Sequence, residues 1–256
     1  LFDRCREVQA NPDGHLDLWA RGHYKSTILT FGKTIQDILA NPEITILIFS
    51  HINPIAKAFL IQIKNEFETN DTLKSWFPDV LYGNPKTESP KWSENDGIVV
   101  KRQSNPKECT VEASGLVDGQ PISKHFQMIV YDDVVIDRSV TTPEQMEKTV
   151  RSLELSYNLG NDNPVYRFIG TRYHFNDAYK TLIERETAQP RIYAATEDGT
   201  TNSPPVFLSA ENLLKKRKAM GVYTFSCQML QNPVADSLQR LERSWLRFYD
   251  DLPQEI

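Results

Sequence analysis

The chain has 256 residues, 39% of them hydrophobic, enough to bury one large core or one core with a small satellite. Its formal net charge of −5 argues against a protein that coats nucleic acid over its whole surface, while leaving a local DNA-tracking face open. No window approaches the roughly 18 apolar residues of a membrane span, so no membrane partner is expected. The opening LFDRCREVQ is charged and lacks an apolar signal-peptide region, and Leu1 in place of Met suggests a trimmed N-terminus. Cys5, Cys109 and Cys227 are far apart and lack metal-ligand spacing, which fits a reducing cytosol with each acting as a small core residue.

In chain order, the turn at Asn11-Pro12-Asp13-Gly14 precedes an alternating run, residues 15–20, that reads as a strand. Ile28, Leu29, Ile35, Ile38 and Leu39 recur at helical spacing over residues 26–39, and Asn41-Pro42 stops the helix. Residues 44–49 (ITILIF) are a nearly unbroken β-branched run, as for a strand buried on both faces. Pro54 opens a helix to about residue 69. Strand–helix–strand–helix predicts a parallel sheet. Residues 71–123 differ: they are rich in Pro and turn glycines, and the runs 97–102 and 109–113 read as an antiparallel excursion. A central strand over 126–131, a helix over 143–159, a strand over 165–169, a helix over 176–186 and a late strand over 191–195 follow. Residues 198–205 are the best boundary, giving a core over 1–200 and a helical subdomain over 201–256, with a Ser209 cap and breaks at Gly221 and Pro233.

The stretch that organises this pattern is residues 18–27, LWARGHYKST. A short apolar run, a glycine-bearing turn (Arg21, Gly22, His23, Tyr24), Lys25, then Ser26 and Thr27 opening a helix is the form of a phosphate-binding loop. Backbone N–H groups and the helix N-terminus would hold a phosphate, Lys25 would reach its outer oxygens, and Ser26 would ligate Mg²⁺. The general pattern wants glycines at Trp19 and Tyr24, so a basic loop capping an ordinary helix stands beside this reading. Phosphoryl transfer also needs an apolar strand ending in acid. MIVYDD, residues 128–133, has that form, with Asp132 as the Mg²⁺-side carboxylate and Asp133 orienting and deprotonating water; the plain alternative is a strand-end turn. Gly170-Thr171 at the end of the next strand can sense the outer phosphate, or simply end the strand.

Together RGHYKST, the IFSH run with Ala56 and Phe59, VYDD, IGTRYHFND and the late FSCQMLQNP resemble the large terminase subunit of tailed bacteriophages, a DNA-packaging motor. In that family the loop carries an arginine, here Arg21, and tolerates loss of the glycine before the lysine. The resemblance implies an α/β fold, an ASCE-type P-loop NTPase with a central, mainly parallel sheet flanked by helices plus a small helical lid. It implies ATP and Mg²⁺, a Walker B strand over 128–132, and a coupling motif at Gly170-Thr171. The implied partners are double-stranded DNA, portal protein and small terminase subunit, with a homo-oligomeric ring when assembled, a monomer in isolation, and the host cytoplasm as location. The family's catalytic glutamate matches Asp133. The residues after the lid hold no acidic nuclease cluster, so the chain reads as the ATPase half alone. A helicase-like P-loop ATPase and a degenerate, non-hydrolysing P-loop scaffold are the competing readings.

Other residues carry paired readings. Arg21 either meets the outer phosphate in its own subunit or pairs with an acid. Arg102, Lys124 and Arg138 are candidates for a basic residue reaching a neighbour's nucleotide. His174 and Asp177 form a metal or base pair, or a helix start, the second being favoured. Lys215 to Lys218, and Arg240, Arg243 and Arg247, meet DNA phosphates or face solvent. Trp19, Trp76, Trp92 and Trp245 are core or interface candidates.

Overall fold

The computed structural model describes residues 2–233. Trp245, Arg240, Arg243 and Arg247 lie outside the described residues. An eight-stranded sheet runs in the order β3-β4-β5-β2-β6-β7-β1-β8. Its strands are β1 (His15–Trp19), β2 (Ile46–Ser50), β3 (Trp92–Ser93), β4 (Gly97–Ile98), β5 (Val111–Gly115), β6 (Phe126–Asp132), β7 (Gly160–Gly170) and β8 (Gln189–Tyr193). From β5 to β8 every neighbouring pair is parallel, and β3 and β4 add an antiparallel edge. This is the expected α/β class with a central, mainly parallel sheet. β7 stands between β1 and β6.

Helices cover both faces. They are α1 (Phe2–Ala10), α2 (Lys33–Ala40), α3 (Asn53–Thr69), α4 (Asp71–Trp76), α5 (Pro85–Glu88), α6 (Pro143–Ser156), α7 (Ala178–Glu184), α8 (Ala210–Met220) and α9 (Val222–Leu230). Strand alternation sorts the side chains: Trp19, Ile46, Ile48, Val130 and Ile169 pack toward α2 and α3. Leu16, Leu18, Phe49, Tyr131 and Phe168 pack toward α6 and α7. A smaller cluster joins Leu213 of α8 and Phe225, Met229 and Leu230 of α9 to Ala20 and Ala195. Ser209 accepts from the Asn212 N–H at 3.2 Å to start α8, and Gly221 (φ 74) makes the break between α8 and α9. Among the described residues, no helix is long and apolar enough to cross a membrane.

Several expectations change. The run 109–113 does pair antiparallel with β4, but as β5 it also joins the main sheet, parallel to β2. Its polar members disguise it: Glu112 is buried because it accepts the Cys109 N–H and pairs with Lys124. The run 97–102 keeps strand pairing only at Gly97–Ile98. α1, read only as an opening segment, is a helix tied down by Arg191, whose guanidinium donates to the carbonyls of Glu7 and Asn11. Trp76 is 72% exposed rather than core, whereas Trp19 is fully buried and Trp92 donates its indole N–H to Glu68 at 2.7 Å. Cys109 and Cys227 are buried and Cys5 half-buried, all as free thiols.

Under α1 and α2 the sheet carries buried charge. Asp17 pairs with Arg191 at 2.6 Å, and Arg167 with Asp37 at 2.9 Å. Burial pushes the Asp17 carboxyl above its ordinary range, although Arg191 opposes the shift. Arg191→Met should therefore cost about 3–5 kcal/mol in denaturant titration, because it strands a buried charge and releases α1. A folded-state carboxyl that holds its proton more tightly than the unfolded one loses stability as pH rises. The deficit should accordingly be smaller near pH 4 and grow toward pH 7, and a pH-independent deficit would count against a charged Asp17 as its source.

Candidate nucleotide-binding site

The C-terminal ends of β1, β2, β6 and β7 meet at one edge of the sheet, where parallel strands present ligand sites. β1 leads into the loop at Arg21–Lys25. Gly22 (φ 78) and Tyr24 (φ 62) both adopt left-handed backbone, so the position where the general pattern has glycine keeps a glycine-like conformation with a tyrosine in place. The loop wraps a hollow of about 430 Å³ lined by Arg21, Gly22, Tyr24, Lys25, Ser26 and Thr27. His23 is buried beneath it, its Nδ1 3.1 Å from the Arg21 carbonyl, and burial pushes its pKa down. The chain then runs through a π-helical segment, Ser26–Gly32, directly into α2, a widened turn of the kind found at functional sites.

β6 delivers the acids. Asp132 is fully buried and accepts from Ser26 Oγ (3.0 Å) and Thr30 Oγ1 (2.6 Å). Burial pushes its carboxyl up to about 6, against the opposing pull of Lys25 and both hydroxyls. Lys25 is itself buried, with Nζ 2.5 Å from Asp133 Oδ2 and 3.8 Å from Asp132 Oδ1. Burial alone would lower the ammonium's pKa, but the two carboxylates more than offset it and the net shift is upward. The lysine is not the freely exposed loop residue that a phosphate loop suggests. Asp133 turns left-handed (φ 45), and its Oδ1 is buried without a hydrogen-bond partner among the described residues. Ser50 Oγ donates to the Asp132 carbonyl at 2.8 Å, and His51 Nδ1 lies 3.0 Å from the Val134 carbonyl, so the end of β2 braces the acidic turn.

β7 brings Gly170 and Thr171 between these two groups. Thr171 Oγ1 donates to the Trp19 carbonyl at 3.3 Å, a direct link to the strand that feeds the loop. Gly170 has no room for a side chain, since a Cβ there would run into the buried Tyr179 ring. Among the described residues Arg21 pairs with no acid: its guanidinium donates to the Tyr173 hydroxyl and lies 5.6 Å from that ring. Asp177 bonds Arg172 at 2.9 Å and caps α7, so the helix-start reading describes it. Lys215 pairs with Glu211 on an exposed face of α8.

Sequence reasoning missed Thr30, Ser50, Tyr173 and Gln231. Thr30 left a trace, a polar residue inside the apolar stripe of its helix and four positions after Ser26. Gln231 sits in the late FSCQMLQNP motif, without any local pattern that marks it.

The oxygen donors fit Mg²⁺. One hydroxyl and one buried carboxylate, Ser26 and Asp132, already touch, and this hard cation commonly binds one or two carboxylates and keeps water and phosphate as its other ligands. A groove of about 380 Å³ between α1 and the π-helical segment, lined by Cys5, Val8, Ile28 and Leu29 among others, shares Thr27 with the loop hollow.

No protein-family model matches the chain, and no curated protein matches it. Solved structures do. Two crystal forms of the large terminase from a thermophilic bacteriophage align at 10% identity with TM-scores of 0.47 and 0.45, each over 85% of this chain. The same terminase in complex with ATP-gamma-S aligns at 10% identity and TM-score 0.46 over 87% of it. The chain spans about half the length of these structures, 47–48%.

Gly170→Ala should destabilise the protein by about 1–3 kcal/mol through overpacking against Tyr179. Thermal unfolding measures it, and a variant as stable as the parent would mean that β7 ends with more freedom than the packing allows.

Proposed function

We propose that this chain is the ATPase domain of a DNA-packaging motor: it hydrolyses ATP and uses the cycle to drive duplex DNA into a procapsid. The observation that carries the ATPase reading is the meeting of Lys25, Ser26, Asp132 and Asp133 beside a loop with left-handed backbone at Gly22 and Tyr24 that opens a helix. The DNA-packaging part rests on the ordered set of motifs from the loop to FSCQMLQNP. On this reading residues 1–200 are the motor core and 201–256 a helical lid, and portal protein, small terminase subunit and duplex DNA are its partners in a ring of like subunits.

The phosphates lie in the loop hollow and the base in the groove beside α1, with Thr27 at the junction. Ser26 and Asp132 would hold Mg²⁺, which when bound neutralises charge on the phosphate oxygens. Lys25 exchanges the Asp133 carboxylate for phosphate oxygen, which frees Asp133 to take the proton of the attacking water. The water oxygen then bonds to the terminal phosphorus as the bond to the leaving ADP oxygen breaks. The bond between Lys25 and Asp133, and the short reach of an aspartate, favour one second reading, a nucleotide-binding scaffold that does not hydrolyse.

Asp133→Asn decides between them. It should bind Mg·ATP yet hydrolyse it about 10²–10⁴-fold more slowly, the contribution of a positioned general base. Asp132→Asn should instead weaken Mg²⁺-dependent binding. Lys25→Ala should abolish turnover and also lower the melting temperature, since it leaves the acidic pair uncompensated. Parent protein that binds nucleotide with no turnover, assembled or not, would establish the scaffold reading.

Among the basic residues weighed as a trans-acting group, Arg138 has the supporting position. It is exposed, makes no ion pair among the described residues, and lies in the turn Asp137–Val140 just beyond the acidic pair. Lys124 is paired with Glu112 and precedes β6, and Arg102 donates to the Pro106 and Glu108 carbonyls near the start of β5. Both belong to the opposite end of the sheet. Arg138→Ala should lower assembled turnover by a factor on the order of 10³–10⁵. Adding Asp133→Asn subunits, which keep their own Arg138, should restore part of it. Turnover independent of protein concentration, with no rescue on mixing, would favour a self-sufficient monomer.

A further inference from the structure

α9 ends in Gln231, a residue only 3% exposed, in left-handed backbone with φ 58 and ψ 20. Every hydrogen-bonding group of its amide is engaged. Oε1 accepts the Arg172 N–H at 3.0 Å, while Nε2 donates to the carbonyls of Trp19 (3.2 Å) and Gln228 (3.0 Å). These partners fix which end of the amide is which, since one side faces an N–H and the other faces carbonyls. The Trp19 carbonyl also takes the Thr171 hydroxyl, and the Gln228 carbonyl also takes the Arg21 N–H at 3.0 Å. One side chain therefore bridges the strand that enters the phosphate loop, the residue that follows Thr171, and the last turn of α9. A second attachment bypasses it: Ala195 N–H donates to the Met229 carbonyl at 2.8 Å, and Val206 N–H to the Ala195 carbonyl at 2.9 Å.

We infer that Gln231 is a positioning residue that couples the state of the phosphate loop to the α8–α9 unit. The ligand half of this inference rests on the nucleotide reading above. A shift of Trp19, Arg21 or Arg172 cannot leave α9 where it is without breaking a bond to Gln231 or Gln228, and Trp19, Arg172 and Gln231 are buried, so water does not readily replace the bonds among them. The Ala195–Met229 contact fixes α9 to the sheet edge but carries no news of the loop. Removing the Gln231 links should thus loosen the loop's hold on α9, leaving the direct bond from Arg21 N–H to the Gln228 carbonyl and leaving α9 docked.

Hydrogen exchange on the full chain tests this with two variants. Gln231→Glu keeps an acceptor for Arg172 N–H but sets a carboxylate against the Trp19 and Gln228 carbonyls; Gln231→Ala loses both arms. Without nucleotide, Gln231→Glu should speed exchange in residues 20–25 roughly 10-fold, with Ala195 and Val206 unchanged, and Gln231→Ala should extend the effect to Arg172. With Mg·ATP-gamma-S, the parent should slow exchange in both 20–25 and 222–230, and Gln231→Glu should keep the slowing in 20–25 but lose most of it in 222–230. Faster exchange spread evenly over 195–230 would reduce Gln231 to a helix cap, and nucleotide-linked slowing of 222–230 retained in full in Gln231→Glu would overturn the coupling. Should nucleotide slow nothing in the parent loop, the ATP reading fails. The unligated arm then decides alone, by whether acceleration stays within 20–25 or spreads.

Discussion

The site depends on burying Asp132 at the end of a largely apolar strand. Removing a carboxylate from water is costly, and here the cost appears as a carboxyl pushed up to about 6 despite two hydroxyl donors and a nearby ammonium. Each compensating group is fixed by a different element. Ser26 and Thr30 come from the widened turn before α2, Lys25 from the loop, and Ser50 from the end of β2 holds the Asp132 carbonyl. The loop cannot move far from β6 without leaving this carboxylate uncompensated, so loop and acidic turn behave as one body.

That constraint explains why β7 matters although it carries no charge at the site. It separates β1 from β6, and its last residues must pass between the loop and the acids. Gly170 gives up its side chain so that Tyr179 can fill the space behind, and Thr171 turns its hydroxyl to the Trp19 carbonyl rather than to solvent. A rearrangement at the acidic turn is felt at β7, because Asp133 N–H bonds the Ile169 carbonyl at 3.0 Å. The path then continues through Thr171 and Arg172 to Gln231.

Much of this was legible in the sequence for plain reasons. Strands buried on both faces read as apolar runs, so 44–49 and 126–131 stood out, and helix periodicity located α2 and α3. The loop and the acidic pair stood out by residue type and spacing, and the fold brings them together. What stayed hidden was tertiary. β5 looked like excursion because Glu112 and Ser114 are polar, and only their partners Lys124, Cys109 and the Gly119 carbonyl make them interior. Lys25 read as a loop cation reaching for phosphate because nothing local says that two carboxylates will close over it. Gln231 lies 212 positions from Trp19, and no spacing rule reaches that far.

The two ends of the molecule divide rigidity and strain between them. Under α1 and α2, Asp17, Arg191, Arg167 and Asp37 make ion pairs buried in the fold, and Arg191 also ties down α1. At the other end, Tyr24, Asp133 and Gln231 all hold left-handed backbone that their side chains disfavour. Such conformations persist only where surrounding structure over-determines them, and they concentrate where a site must be pre-organised or must switch. Here the over-determination is visible: Tyr24 is clamped by the turn into Lys25, Asp133 by Lys25 and Ile169, and Gln231 by Trp19 and Arg172. Lys25 is common to the first two, so releasing one loosens the other. Gln231 is tied in separately, through the Trp19 carbonyl that it shares with the Thr171 hydroxyl and through the N–H of Arg172, the next residue along β7's exit.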